Sequence, residues 1–546
     1  MSSVPTRQHF DDSAADAPSG DVIEDHDGGY EPIEVDPRDM RQVSAAVLCD
    51  RLAGPRTWTI PVLSCIPLIF FLLSYMAGGL GFANSIGMLM LLAIVIGGLL
   101  NEAWNFSTRF GVGGLCLYGG TFIWLLHDYL TRYLTNSPEI YGFSNWAVTK
   151  ACVSVGLFFT FASVGLKLTI GRKVERFFIR LWPESRSTGL LFGVAIAAFI
   201  FGVSPYFLFT RVPFYEAMYL DFIKGYGDAG THWTVGKTGG NINFNFGAYI
   251  AQMFDVGALG SLLAVFLVLM RRMGPLATIA AVGMLSFWML RAFGTGARGH
   301  LLYLVLPVLA GFFMRQHILA AWQGRRFSTA AYGLIIGGLT LILIAFTYQA
   351  GLRDRGFSDI FNFSLTDFRI DGNAMFTESL DGYMVIPEST PPFYNRWPLE
   401  GVIRPVWDLV YWFVVGPIPR AVWTSKPIDG VWLWYNELLM RTTMSGDSLA
   451  GTNITQSYPG HFFFRYGFAG VIQGGLFFGL LAGIAERILK GSRGRILAML
   501  FALGLTTWLF RSFRSPDFQN MYPMLIGLTA VSLLALPFDR EPVQDD

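Results

Sequence analysis

At 546 residues, with 53% hydrophobic and only 14% charged side chains, the chain is too apolar for a soluble globular protein of its size. The formal net charge of +1 conceals an asymmetry: residues 1–50 carry 12 acidic and 3 basic side chains, the remainder 27 acidic and 37 basic. Stretches of about 20 apolar residues recur, each long enough to cross a bilayer while satisfying its own backbone hydrogen bonds, and no nucleic-acid partner is expected.

The first 56 residues are acidic and poor in apolar side chains, and read as a disordered cytoplasmic tail. They lack the basic start and apolar core of a cleaved signal peptide. Beyond them the expected fold class is all-α, a polytopic integral membrane protein with about 12 transmembrane helices. Spans are expected near 58–78, 82–100, 111–130, 147–170, 188–209, 248–270, 274–293, 300–318, 329–349, 466–487, 494–511 and 519–537. Residues 57–349 thus hold nine helices and an outer loop at 210–247; 350–465 form a large extracytoplasmic loop; 466–537 hold the last three helices, and 538–546 a second cytoplasmic tail. With the tail inside, the basic connections at 171–186, Arg271 and Arg272, Arg315 with Arg325 and Arg326, and 490–495 all fall on the cytoplasmic side, as the positive-inside rule requires.

Inside the large loop, 406–419 is apolar enough to enter the membrane. A re-entrant or interfacial segment keeps the later basic loops inside; a full crossing would make 13 spans and reverse them. Cys49, Cys65, Cys116 and Cys152 suit neither a disulfide framework nor a zinc site. Gly475, Gly479 and Gly483, four apart, mark a helix-packing face. Nucleotide-binding, serine- or cysteine-nucleophile, zinc-protease and Cys-x-x-Cys motifs are all missing, so neither a cofactor nor a metal is expected. Any catalysis would rest on positioned charges at the outer face.

Such charges are present. Arg298 lies in Gly-Thr-Gly-Ala-Arg-Gly-His at 294–300, a turn whose glycines let a ligand approach; Arg291 and His300 beside it read more simply as structural. Arg420, Trp423 and Lys426 lie in Pro-Ile-Pro-Arg-Ala-Val-Trp-Thr-Ser-Lys-Pro at 417–427, where the prolines fix an extended path. Asp447, Asn453, Tyr458, His461 and Arg465 fall in the polar stretch that leads into the tenth span. Arg511 and Arg514, three apart and on one face if their helix continues, sit on the outer side where basic residues are normally scarce. Arg211 belongs to the shorter outer loop. Arginine's fork of donors suits phosphate or diphosphate. The plainer alternatives are lipid-headgroup anchors and snorkelling side chains.

In this order, the Gly-Ala-Arg-Gly turn at 296–299, the Pro-Arg-x-x-Trp-x-x-Lys-Pro run at 419–427 and the Tyr-Gly-Phe-Ala-Gly start of a span at 466–470 resemble the oligosaccharide repeat unit polymerases, the Wzy-type O-antigen and exopolysaccharide polymerases. The resemblance covers about 290–490. It implies a glycosyltransferase of the bacterial inner membrane. The donor would be a growing glycan on undecaprenyl diphosphate and the acceptor a single lipid-linked repeat unit. On that reading Arg298, Arg420, Lys426, His461 and Asp447 are the catalytic candidates, and Arg211, Trp423, Asn453, Tyr458, Arg465, Arg511 and Arg514 bind substrate. Arginine and lysine would stabilise charge building on the leaving diphosphate without a metal. A chain-length-regulating co-polymerase and a flippase are the implied partners, beside the lipid bilayer. This chain has His-Phe-Phe-Phe-Arg before the glycine start, where the family has glutamate and tyrosine. The base therefore stays open among His461, Asp447, Asp408, Glu400 and Glu437. An O-antigen ligase shares the same charge logic. A secondary transporter would instead need ionisable residues at the bilayer midplane.

Overall fold

The computed structural model describes residues 58–104, 111–134, 143–168, 188–223, 246–271, 273–294, 298–322, 457–492 and 495–514, with a few isolated positions elsewhere. Among them there is no strand, and eight helices are long and apolar enough to cross a membrane. The chain is a multi-pass, all-helical membrane protein. The expected spans at 329–349 and 519–537, and the large loop with its 406–419 segment, lie almost wholly outside the described residues.

α1 (Thr59–Met76) and α2 (Gly81–Trp104) form a hairpin. Its turn is closed by Gly78 at φ 79° and Gly79 at φ 100°, whose N–H groups donate to Tyr75 O at 3.3 Å and Ser74 O at 2.8 Å. This left-handed pair ends α1 as glycine usually ends a helix. α3 (Val112–Gly120) runs through a π turn (Thr121–Leu126) into α4 (His127–Leu134). α5 (Asn145–Lys167) is capped by Ser144, whose hydroxyl accepts from Ala147 N. α6 (Thr188–Val203) is followed by the short α7 (Pro205–Leu208) and α8 (Phe214–Phe222), then α9 (Phe246–Met270), α10 (Pro275–Gly294), α11 (Arg298–Trp322), α12 (Tyr458–Gly491) and α13 (Ile496–Ser512).

Burial separates the helices by role. α5 is buried over 89% of its apolar stretch, against 28% for α1 and 22% for α10, whose outward faces carry Val62, Ile69, Leu73, Leu276 and Ile279. In a membrane those faces meet lipid, so α5 is the central post and α1 and α10 are peripheral. α5 pairs most extensively with α12. The glycine stripe makes that approach: Gly475 and Gly479 face Phe158 O and Ala162 O on α5, where a Cβ would strike backbone. Close approach through small residues is how helices associate in lipid, where apolar surface alone gives no driving force.

A second group forms around α6 and α9, which meet at Gly202, Gly257 and Gly260. Arg271 donates to Thr188 Oγ1 at 2.9 Å, bringing the end of α9 to the start of α6, both cytoplasmic in the expected topology. At the opposite end of this group α8 lies across the end of α10, with Gly294 against the carbonyls of Asp221 and Phe222. α13 joins the two groups: it packs on α3 and α12 on one side and on α9 and α11 on the other.

α12 is longer than the span expected at 466–487 and is broken. Gly467 has φ 64° and ψ −160°, a conformation essentially reserved for glycine. Residues 458–466 fold back from it as an arm alongside 468–491. Tyr458 donates to Gly474 O at 3.3 Å and its ring lies 5.4 Å from that of Phe478. At 1.5 Å per residue, the tip of the arm therefore reaches about 10–16 Å below Gly467. Tyr383, from the expected outer loop, packs its ring on Phe463 and Phe464 of the arm, and its carbonyl accepts from Lys150 Nζ of α5 at 3.4 Å.

Candidate functional site

A cluster of charge within the described spans lies where the two helical groups meet. A cavity of about 70 Å³ opens between α9, α10, α11 and α13, room for several waters or one small anion. Part of its lining is apolar, with Leu259, Leu262, Leu304, Pro307, Leu500 and Gly504; the helix ends beside it carry Asp255, Arg291, His300, Tyr303 and Arg511.

Arg291 is held rigidly. Its Nε donates to Tyr206 Oη at 2.8 Å, and that hydroxyl donates to Asp221 Oδ2 at 2.7 Å. The carboxylate is also 3.8 Å from Arg291 Nε. The guanidinium stacks 3.7 Å from the ring centroid of Phe254 and 5.9 Å from that of Trp288. Three elements thus fix one cation: α7 supplies Tyr206, α8 supplies Asp221, and α9 supplies the aromatic shelf. Asp221 is 1% exposed, a burial that a carboxylate tolerates only with a charged or donating partner.

Arg511 is held differently. Its guanidinium lies 5.5 Å from the ring of Tyr303, and among the described residues no carboxylate pairs with it. Trp288 also lines the cavity, and its buried Nε1–H has no hydrogen-bond partner among the described residues. Between the arginines, His300 Nε2 lies 3.5 Å from Asp255 Oδ1, with both side chains partly exposed to the cavity. Two cations, an unused N–H and a histidine–carboxylate pair therefore surround one space. Arg291 is offset by Asp221 and His300 faces Asp255, so Arg511 is the charge in this wall that no carboxylate among the described residues offsets.

The structure gathers some expected residues and separates others. Arg511 lines the cavity. Arg514 is not part of the cavity lining; it lies in the turn that follows the end of α13 at Ser512, its N–H donating to Arg511 O at 3.0 Å. Arg298 is the first residue of α11, two positions before His300; its side chain is outside the described atoms. Tyr458, His461 and Arg465 lie together on the arm of α12. Tyr458 is fully buried among Phe158, Phe462 and Phe478, the His461 ring is 5.5 Å from that of Phe462, and the Arg465 guanidinium is 5.3 Å from the ring of Tyr466. The arm and the cavity are neighbours through α13: Tyr458 N donates to Phe513 O at 2.9 Å, two residues beyond Arg511. Arg211 is exposed in the turn before α8, away from the cavity lining, and Trp423 is an isolated described position. Arg420, Lys426, Asp447 and Asn453 lie outside the described residues.

Arg291 and His300, which read along the chain as structural, line the cavity together with Asp255. Each sits near the outer end of a different span, where an anchoring role is the simpler expectation. The signal available was their common depth once the spans are drawn antiparallel. Comparison with protein-family models, with curated proteins and with solved structures returned no match to this chain.

Proposed function

We propose that the protein polymerises undecaprenyl-diphosphate-linked oligosaccharide repeat units by glycosyl transfer at the outer face of the bacterial inner membrane. The observation that carries this reading is the convergence of Arg291 and Arg511, from α10 and α13, on one cavity whose lining is otherwise largely apolar. A diphosphate on an isoprenoid chain has the same division between anionic and apolar parts. As the acceptor hydroxyl attacks the anomeric carbon, negative charge grows on the departing diphosphate, and donors already aimed at that position stabilise it more than the ground state. Arg298, at the head of α11, and the Arg420–Lys426 run are the further cations of this reading. The order of motifs along the sequence supports it independently of the cavity.

The test is reconstitution in nanodiscs with a lipid-diphosphate-linked repeat unit as sole substrate. A ladder of lipid-linked products, lost in Arg511→Ala and Arg298→Ala protein that remains folded, is the expected result. Capped lipid A core in place of a ladder, when that acceptor is supplied, would replace polymerase by O-antigen ligase. Substrate movement across the bilayer without new glycosidic bonds would replace both by transport.

A further inference from the structure

The glycosyl transfer proposed above needs a group to take the acceptor's proton, and the geometry points to His300 as that catalytic base, with Asp255 as its positioning residue. The inference rests on the polymerase reading and names a base that the resemblance alone left open. Among the described residues, His300 is the one histidine and Asp255 the one carboxylate in the cavity wall. His461 sits instead on the arm of α12, with its ring edge-on to Phe462. His300 Nε2 faces Asp255 Oδ1 at 3.5 Å, within reach of a hydrogen bond once the ring adjusts, which leaves Nδ1 to accept a proton. Both side chains are partly exposed, 40% and 26%, as groups that must meet a substrate are, whereas Asp221 is closed off behind Tyr206.

Two charges line the cavity with the pair, Arg291 from α10 and Arg511 from α13, beside the Tyr303 phenol of α11. The arginines are placed to receive the anion while the histidine receives the proton. In the step itself, the acceptor oxygen forms a bond to the anomeric carbon as the bond from that carbon to the diphosphate oxygen breaks. The bonding pair leaves with the diphosphate, and the hydroxyl proton passes to His300 Nδ1. Asp255 then faces an imidazolium, whose charge it stabilises. The imidazolium must lose that proton to solvent before the next turnover.

The experiment uses the full-length protein in nanodiscs with lipid-diphosphate-linked repeat units, and separates kcat from KM. His300→Gly is expected to lose about 100- to 10,000-fold in kcat with KM unchanged, the range of a positioned acid or base. Added imidazole should restore part of that loss in His300→Gly but not in the His300→Gly, Asp255→Asn double variant; a purely structural histidine would give no such dependence. Should His300→Gly misfold, the near-isosteric His300→Gln supplies the kcat comparison. A His300→Gln enzyme within about threefold of the original protein overturns the base assignment and leaves the polymerase reading standing, since loss of a base costs far more. Unaltered protein that binds the lipid-linked substrate yet forms no glycosidic bond overturns both.

Discussion

Two helix seams run side by side through this protein and are built on opposite principles. Between α5 and α12 the interface is close and dry. Gly475 and Gly479 let backbone meet backbone, and Phe158, Tyr458, Phe478 and Phe513 fill the space beside them with edge-on rings. Between α13 and the α9–α11 group the interface stays apart. Large side chains hold the helices off one another, and the gap is edged with Asp255, Arg291, His300 and Arg511. In a membrane, close packing stabilises association at little cost, whereas each charge is expensive unless paired or stacked. The first seam holds the molecule together; the second keeps charges that stability alone would not select.

The largest effect that would sharpen this contrast is expected at Asp221. Asp221→Ala removes the buried counter-charge behind Arg291 and should cost about 3–5 kcal/mol of stability. Equilibrium unfolding in mixed micelles would measure it; a loss under about 1 kcal/mol would mean that the aromatic shelf alone holds the arginine. Arg511→Ala should leave stability nearly unchanged, because no carboxylate depends on it among the described residues, yet lower glycosyl transfer about 100- to 1,000-fold, as loss of one oxyanion donor does. Equal losses of folding and turnover would place Arg511 with the structural charges instead. At the dry seam the effects are smaller and purely structural. Gly479→Ala drives a Cβ into Ala162 O and should cost about 1–3 kcal/mol. Gly483→Ala is the control. Its nearest contact is Leu166 O at 3.2 Å, and alanine's helix propensity offsets that crowding, so a change within about 0.5 kcal/mol is expected. If the two glycines respond alike, the stripe is not the close-packed face described above.

Much of the scaffold was legible because lipid simplifies the code. Apolar stretches at 58–78, 147–170 or 274–293 had no plausible state other than spanning helices, and α1, α5 and α10 lie there. The Gly475–Gly479–Gly483 spacing likewise told its own face. The site was legible only in part. Arg511 stood out because a basic residue outside is rare. Arg291, His300 and Asp255 did not, since their meaning depends on which spans touch, and no local pattern states that α13 closes against α9 and α11. The arm of α12 was hidden for a different reason. Gly467 announces a break, but its φ of 64° decides whether the chain bends slightly or reverses.

That reversal sets an order of assembly. The arm rests on Phe158, made early in α5, and on Phe513, made after the arm itself at the end of α13. While the ribosome is still extending 468–491, the arm has only half of its resting place. Its Tyr458 N–H, which finally donates to Phe513 O, has no acceptor there until the next helix arrives. The arm can lie on α5 and on 468–478 beforehand, and completing α13 adds the contact to Phe513 on the same helix that carries Arg511 to the cavity.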